Sequence, residues 1–407
     1  MMENVLTFSH ARGVVEQHAA SLRARGTERL PLLDAGGRIL AQEIICDRDL
    51  PPFNRSTRDG YAVRADDVPT VPVRLRVVGE LRAGASWEGH LGQGDALEIM
   101  TGAGLPDGSD AVVMVEYTAR DGDQVEVQRS VVAEENVVAR GSEARAGQVL
   151  VAKGTRASHA VIALAASVGM AELNVFTVPR VAILATGDEL VPIAATPGPA
   201  QIRNSNSYSL AAQVARTGGV PVVLDVARDE RESLEQLIRQ GMTADLLLLS
   251  GGVSMGKYDL VEQVLRDLGA EFLFTGVKIQ PGKPLVFGRL PRAGGCTYFF
   301  GLPGNPVSTM VTFALFVDPM LRALGGETAQ PLRFLRAQLK SAVRTKTGLT
   351  RFLPARLSGA LSATEVELAQ WQGSGDIAAV ASSDCLMVVP PDGEEIPAGE
   401  WVPVLVV

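Results

Sequence analysis

The stretch Ala244-Asp245-Leu246-Leu247-Leu248-Leu249-Ser250-Gly251-Gly252-Val253-Ser254-Met255-Gly256-Lys257-Tyr258-Asp259 decides the fold. Four leucines are too few for a helix and end abruptly in Ser-Gly-Gly. That is the pattern of a buried parallel strand feeding a tight turn. The glycines at 251 and 252 admit positive φ and close approach of a ligand. Past the turn, Val261, Val264, Leu265 and Leu268 recur at helical spacing from a start near Asp259, with Gly269 as the stop. In open α/β sheets, ligands sit in such strand-to-helix loops. Taken alone, the loop fits either a plain βα turn or a cradle for phosphate or pterin.

Around it, residues 179–326 alternate strand and helix. Strands are expected at 181–185, 220–225, 246–249, 272–279 and 297–300, and helices at 206–217, 230–240, 259–268 and 306–324. This pattern predicts a parallel sheet with helices on both faces. Upstream, residues 9–25 form an amphipathic helix that puts Val14, Val15, His18, Ala19 and Leu22 on one face, with Ser9 as N-cap. Residues 47–140 break into short β segments at 71–80, 96–100, 111–117 and 124–132. A nearly all-apolar helix at 157–170 is expected to lie buried or in an interface. After Gly325-Gly326, short strands at 334–340, 352–357, 365–368, 385–389 and 402–407 predict a small barrel or sandwich. The fold class is multidomain, α/β plus β. Its expected parts are 1–46 with 140–177, an inserted β domain at 47–139, the α/β domain at 178–326 and a C-terminal β domain at 327–407.

Composition narrows the partners. A net charge of −8 argues against nucleic acid or an anionic membrane surface, while leaving room for a local anion site at a helix N-terminus. Gly accounts for 42 of 407 residues, so many tight turns are expected. Cys46, Cys296 and Cys385 form no Cys-x-x-Cys pair, and the four histidines show no ligand spacing. A reduced, cytoplasmic protein without zinc or iron–sulfur is expected. No apolar run approaches the roughly 20 residues that span a bilayer, and the N-terminus carries no secretory signal pattern.

Polar loops follow the α/β strands at their carboxyl ends. Thr186-Gly187-Asp188-Glu189-Leu190 sets two carboxylates after a tight turn, oxygen ligands suited to Mg²⁺ or simply a solvated acidic loop. Asp225 and Asp229 flank the end of the next strand. In Gln280-Pro281-Gly282-Lys283-Pro284, two prolines stiffen the backbone that presents Lys283 to an anion, and Lys278 adds a second charge. Gly301-Leu302-Pro303-Gly304-Asn305-Pro306 offers Asn305 as N-cap and Pro306 at the first helical position, which fits equally an anion held by the free N–H groups or simply a well-capped buried helix. Outside this domain, Pro51–Val63 carries Asp59-Gly60 in a stiff loop that could be only a turn, and Ile99–Pro106 carries Thr101, whose hydroxyl could donate to phosphate; neither reads as catalytic in isolation.

Six segments in register, 51–63, 99–104, 185–190, 249–259, 281–284 and 301–306, make the whole chain resemble the molybdopterin molybdenumtransferase family, the MoeA proteins and the E domain of gephyrin and plant Cnx. The resemblance implies an elongated discontinuous domain, an inserted β domain, a MogA-like doubly wound α/β domain and a C-terminal β barrel. It also implies a homodimer in which the Asp59 and Thr101 loops of one subunit face the α/β domain of the other. The implied reaction inserts molybdenum from molybdate into adenylylated molybdopterin and releases AMP, with Mg²⁺ as the cation.

Carried over by motif, Asp59, Glu189, Asp259 and Thr101 are the expected catalytic residues. Asp59, Glu189, Asp188, Asp229 and Glu143 are the expected metal ligands. Substrate contacts are expected from Ser250, Gly251, Gly252, Ser254, Lys278, Lys283, Pro303, Gly304, Asn305, Arg351, Arg356 and Ser374. Two departures stand out. Gln280 replaces the lysine that often precedes Pro-Gly-Lys-Pro, with Lys278 two residues back on the same strand face. Glu143 lies where an aspartate is common. Beyond a second copy and the small-molecule pterin, the resemblance implies the adenylyltransferase and molybdoenzyme chaperones as partners. Adenylyl transfer to molybdopterin and a non-catalytic scaffold are the rival readings.

Overall fold

The computed structural model describes residues 5–252, 260–360 and 363–406. The leucine run, Leu246–Ser250, is an inner strand of a six-stranded sheet. The order is Val220–Val223, Arg180–Ala185, Leu246–Ser250, Gly295–Leu302, Val286–Arg292 and Glu271–Phe274. The first four are parallel to one another. Val286–Arg292 runs antiparallel to both its neighbours, so Glu271–Phe274 again runs with the first four.

The sheet expected to be wholly parallel therefore contains one reversed strand. Its cause is a hairpin, since Arg292 pairs with Gly295 across Ala293-Gly294 and Gly294 takes φ 78°. A two-residue loop of this kind wants positive φ, which glycine supplies.

Side-chain alternation along the leucine strand divides the core in two. Leu246 and Leu248 join Val181, Ile183 and Phe300 on one face, and Leu247 and Leu249 join Ala182, Leu184 and Phe299 on the other. All four leucines are fully buried, each contributing about 1.5–3 kcal/mol relative to exposure. The first face is covered by Asn206–Thr217, by the N-terminal helix Phe8–Ser21 and by the run from Pro306 to Leu324. The second is covered by Arg231–Gly241 and Leu260–Asp267.

Several local expectations are corrected. The N-terminal helix is capped by Thr7, whose hydroxyl accepts from the His10 N–H at 3.4 Å, and Ser9 lies inside the first turn. The 306–324 helix contains a π segment, Phe313–Val317, between α segments Pro306–Thr312 and Asp318–Leu324. At 19 residues it is long and apolar enough to cross a membrane, which the sequence pattern did not suggest, but two-thirds of that window is buried inside the protein. The strand expected at 272–279 splits into Glu271–Phe274, Gly276–Val277 and Ile279–Gln280. These pair respectively with the sheet, with Val5–Leu6 and with the barrel strand Thr350–Ala360.

The inserted domain is a six-stranded sheet of Ala111–Met114, Gly60–Val63, Asp95–Ile99, Val73–Leu81, Gln124–Val127 and Thr118–Asp121. Gly60 is required there, because a Cβ would overlap the Val113 carbonyl of the paired strand. The apolar helix expected at 157–170 runs over His159–Ser167, capped by the Ser158 hydroxyl. It lies at the surface rather than buried, since only Ala165 is fully enclosed and Ala160, Ala163 and Ala166 are exposed. At the C-terminus five strands close into a barrel, in the order Thr350–Ala360, Ala363–Leu368, Leu335–Leu339, Trp401–Val406 and Cys385–Val389, which pairs back to Thr350–Ala360.

Candidate active site

At the carboxyl edge of the sheet the leucine strand ends in Ser250, which is 3% exposed. Its carbonyl accepts from the Thr186 N–H at 3.0 Å, and its hydroxyl accepts from the Asn206 amide at 3.0 Å. The same Asn206 nitrogen donates to the Gly304 carbonyl at 2.7 Å. Three strand-end loops are thereby tied at one point.

Gly251 and Gly252 adopt φ 92° and 60°. A Cβ at Gly251 would lie 2.6 Å from the Thr186 carbonyl oxygen, and one at Gly252 2.7 Å from the Thr186 hydroxyl. Both glycines are needed for the Thr186 loop to pack this closely. Ser254 and Asp259 lie outside the described residues.

Beyond Thr186 the carboxylates gather. Glu189 folds back over Gly187, where a Cβ would come within 2.5 Å of its carboxylate. The Asp229 N–H donates to the Asp188 carboxylate at 3.3 Å. Partial burial, and next the negative charges of Asp188 and Glu189, push the Asp229 carboxyl above its ordinary range. The three expected ligands Asp188, Glu189 and Asp229 are thus brought into one electrostatic neighbourhood. Among the described residues no three such side chains stand close enough to hold a metal by themselves.

Asn305 occupies the N-cap position of Pro306–Thr312 but its side chain does not cap the helix. It donates instead to the Ser374 hydroxyl at 2.8 Å, while the Ser374 carbonyl accepts from the Val307 N–H at 3.0 Å. Ser374 from the barrel region therefore joins Pro303, Gly304 and Asn305. The Thr309 hydroxyl secures the turn by donating to the Pro303 carbonyl at 2.6 Å.

Lys283 is exposed, and its loop is pressed against the same helix: a Cβ at Gly282, φ 109°, would fall 2.5 Å from Thr312. Lys278 and Gln280 are both exposed on one strand side, with Val277 and Ile279 buried between and before them. The cation beside Gln280 is Arg351, 6% exposed, whose Nε donates to the Gln280 side-chain Oε1 at 2.9 Å. Arg356 is turned to the Ser382 carbonyl at 2.6 Å, away from the α/β loops by its described bonding.

A second polar group sits on the inserted domain. The Asp59 carboxylate accepts from the Thr101 N–H at 2.6 Å and from the Thr101 hydroxyl at 2.7 Å. The first of these bonds and then the second hold its carboxyl below the ordinary range. Glu143 pairs with Arg55 at 2.9 Å. Among the described residues no hydrogen bond or ion pair joins this group to the α/β loops.

Sequence reasoning missed Asn206 and the Thr186 side chain. The string Asn204-Ser205-Asn206-Ser207 reads as capping chemistry for the next helix. Asn204 takes that role, accepting from the Ser207 N–H at 3.2 Å, which frees Asn206 to bridge the loops.

The models of the MoeA N-terminal region (domain I and II), the probable molybdopterin binding domain and the MoeA C-terminal region (domain IV) match residues 6–169, 182–323 and 336–407. A molybdopterin molybdenumtransferase of Nostoc sp. is 40% identical over 74% of this chain and 70% of its own length. The Bacillus subtilis molybdopterin molybdenumtransferase is 34% identical over 94% and 90%. The solved structure of a molybdopterin biosynthesis MoeA protein from Pyrococcus horikoshii superposes with a TM-score of 0.74 at 34% identity, covering 99% of each chain. With three family models matched along its length and relatives 34–40% identical over most of it, the chain belongs to the molybdopterin molybdenumtransferase (MoeA) family.

Proposed function

We propose that the chain takes adenylylated molybdopterin and molybdate, places molybdenum in the pterin dithiolene and releases AMP. The observation that carries this reading is the knot at Asn206, which holds the Ser250-Gly251-Gly252 and Gly304-Asn305 loops side by side. Backbone N–H groups, Lys283 and Arg351 supply positive potential for phosphate and oxyanion oxygens. Splitting a phosphoanhydride is mostly a matter of position and charge neutralisation, and pre-set loops of this kind provide both.

The same reading takes Mg²⁺ as the cation. Asp188, Glu189 and Asp229 would hold it together with substrate oxygens, an oxygen-only donor set suited to a hard ion. Burial, and next the repulsion of Asp188 and Glu189, already raises the Asp229 carboxyl, so a cation there relieves an existing electrostatic cost. When bound, it would neutralise phosphate charge.

A homodimer belongs to this proposal, with the Asp59 and Thr101 group of one copy facing the α/β loops of the other. Its support is that the two groups share no described hydrogen bond or ion pair within one chain. In addition, the cleft of about 1370 Å³ beside the N-terminal helix and Phe313 is lined by none of the carboxyl-edge loops. Cytoplasmic location is the matching expectation for three free cysteines.

The test is direct. Purified protein is incubated with adenylylated molybdopterin, with and without molybdate, and AMP is measured. Molybdate-dependent AMP release is expected. ATP-dependent adenylylation of free molybdopterin would reassign the chain to the preceding step.

A further inference from the structure

Two buried polar atoms at the Ser250 knot have no partner among the described residues: the Asn206 carbonyl oxygen and the Thr186 hydroxyl. Thr186 is 3% exposed. Buried acceptors left unpaired are costly, of order 1–3 kcal/mol, and are seldom kept without a use. The orientation of the Asn206 amide is fixed by chemistry. Its NH₂ faces the Gly304 carbonyl, which can only accept, and a flipped amide would set two carbonyl oxygens against each other. The orphan atom of Asn206 is therefore an acceptor that needs a donor. An ionised phosphate or molybdate oxygen accepts and cannot satisfy it. A ligand N–H or O–H can.

We propose that Asn206, backed by Thr186, is a specificity residue that reads the hydrogen-bond-donor edge of the pterin, its 2-amino and ring N–H groups. This inference rests on the pterin reading above. Both residues lie within 182–323, the span of the probable molybdopterin binding domain. The bond between Asn206 and Ser250 sets the reading atom beside the loop that receives the ligand. A ribose hydroxyl or the adenine amine of the nucleotide half presents the same donor chemistry, so the test separates the two sources.

The full-length protein is titrated with 6-hydroxymethylpterin, with the matching lumazine (a carbonyl in place of the 2-amino group), with AMP and with molybdate. Wild type is expected to prefer the pterin over the lumazine by about tenfold or more, since a buried acceptor facing a ligand carbonyl is left unpaired. Asn206→Ala also loosens the two loops it ties, so it is expected to weaken binding of all four ligands, but of the pterin more than the lumazine, so that the preference disappears. Asn206→Asp keeps an acceptor but loses the donor to Gly304, so it is expected to retain more discrimination than Asn206→Ala.

Equal losses for all four ligands in both variants would make Asn206 a loop brace only and overturn the proposal. A fall in AMP binding with pterin discrimination intact would assign the donor to the nucleotide and overturn it too. If wild type binds neither pterin nor lumazine, the pterin reading itself fails, before any variant is compared.

Discussion

The side-chain amide of Asn305 donates to the hydroxyl of Ser374, 69 positions further on, at 2.8 Å. An α/β loop and the segment before the barrel's short helix Ile377–Ala381 are thereby latched together. Ser374→Ala removes the acceptor and costs about 1 kcal/mol at this junction. Amide exchange around residues 372–376 is expected to quicken by about fivefold, and molybdate-dependent AMP release to drop. Unchanged exchange would show that the Val307 N–H to Ser374 carbonyl bond holds the junction unaided.

Asp59 titrates low because the Thr101 N–H and hydroxyl bind its ionised form. A depressed carboxyl adds stability above its unfolded value and loses it as pH falls through the folded one. Thr101→Val keeps the N–H and removes the hydroxyl, so the Asp59 titration, followed by carboxyl NMR, moves up toward the ordinary range. The acid limb of the pH–rate profile is expected to shift to higher pH with it. A limb that stays in place would detach Asp59 from the reaction.

Asp229 shifts the other way, raised by burial and by Asp188 and Glu189. A raised carboxyl costs stability as pH rises through its folded value. In metal-free buffer near neutrality, Asp229→Asn is therefore expected to melt slightly higher than wild type. Millimolar Mg²⁺ should raise the wild-type melting temperature and raise the variant's less. Equal responses to Mg²⁺ would remove Asp229 from the cation site.

Burial, then the neighbouring Asp384, pushes the Cys385 thiol up to about 12. At pH 8 only about one molecule in ten thousand would carry the thiolate that alkylating agents need. Iodoacetamide is expected to spare Cys385 in the native protein and label it after urea unfolding, as read by mass spectrometry of the tryptic peptide. Rapid native labelling would mean that the barrel core around Val389 and Val404 opens.

The leucine run, the helices over it and the polar loops beyond it were legible because strand period, helix period and glycine turns are local signals. The reversed strand Val286–Arg292 was not, because its hairpin is announced only by Ala293-Gly294, and pairing direction is a long-range property. Residues 272–279 read as one strand because β-rich composition does not reveal a change of partner, here three partners between Glu271 and Gln280. Carboxylates could be nominated by motif, as Asp188 and Glu189 were. Asn206 could not, since an asparagine at a helix start looks the same whether it caps or bridges. The Asn305 side chain was assigned to the wrong partner for the same reason.

Val5 and Leu6 lie alongside Gly276 and Val277, and the Lys278 N–H donates to the Leu6 carbonyl at 2.8 Å. Val5 and Leu6 thus find their place only once the chain has been made as far as Val277. Such distant pairing slows folding, since the intervening loop must close before any contact rewards it. A nascent chain halted short of residue 276 would have no strand for Val5 and Leu6 to pair with, and the helix Phe8–Ser21 would wait with an apolar face uncovered.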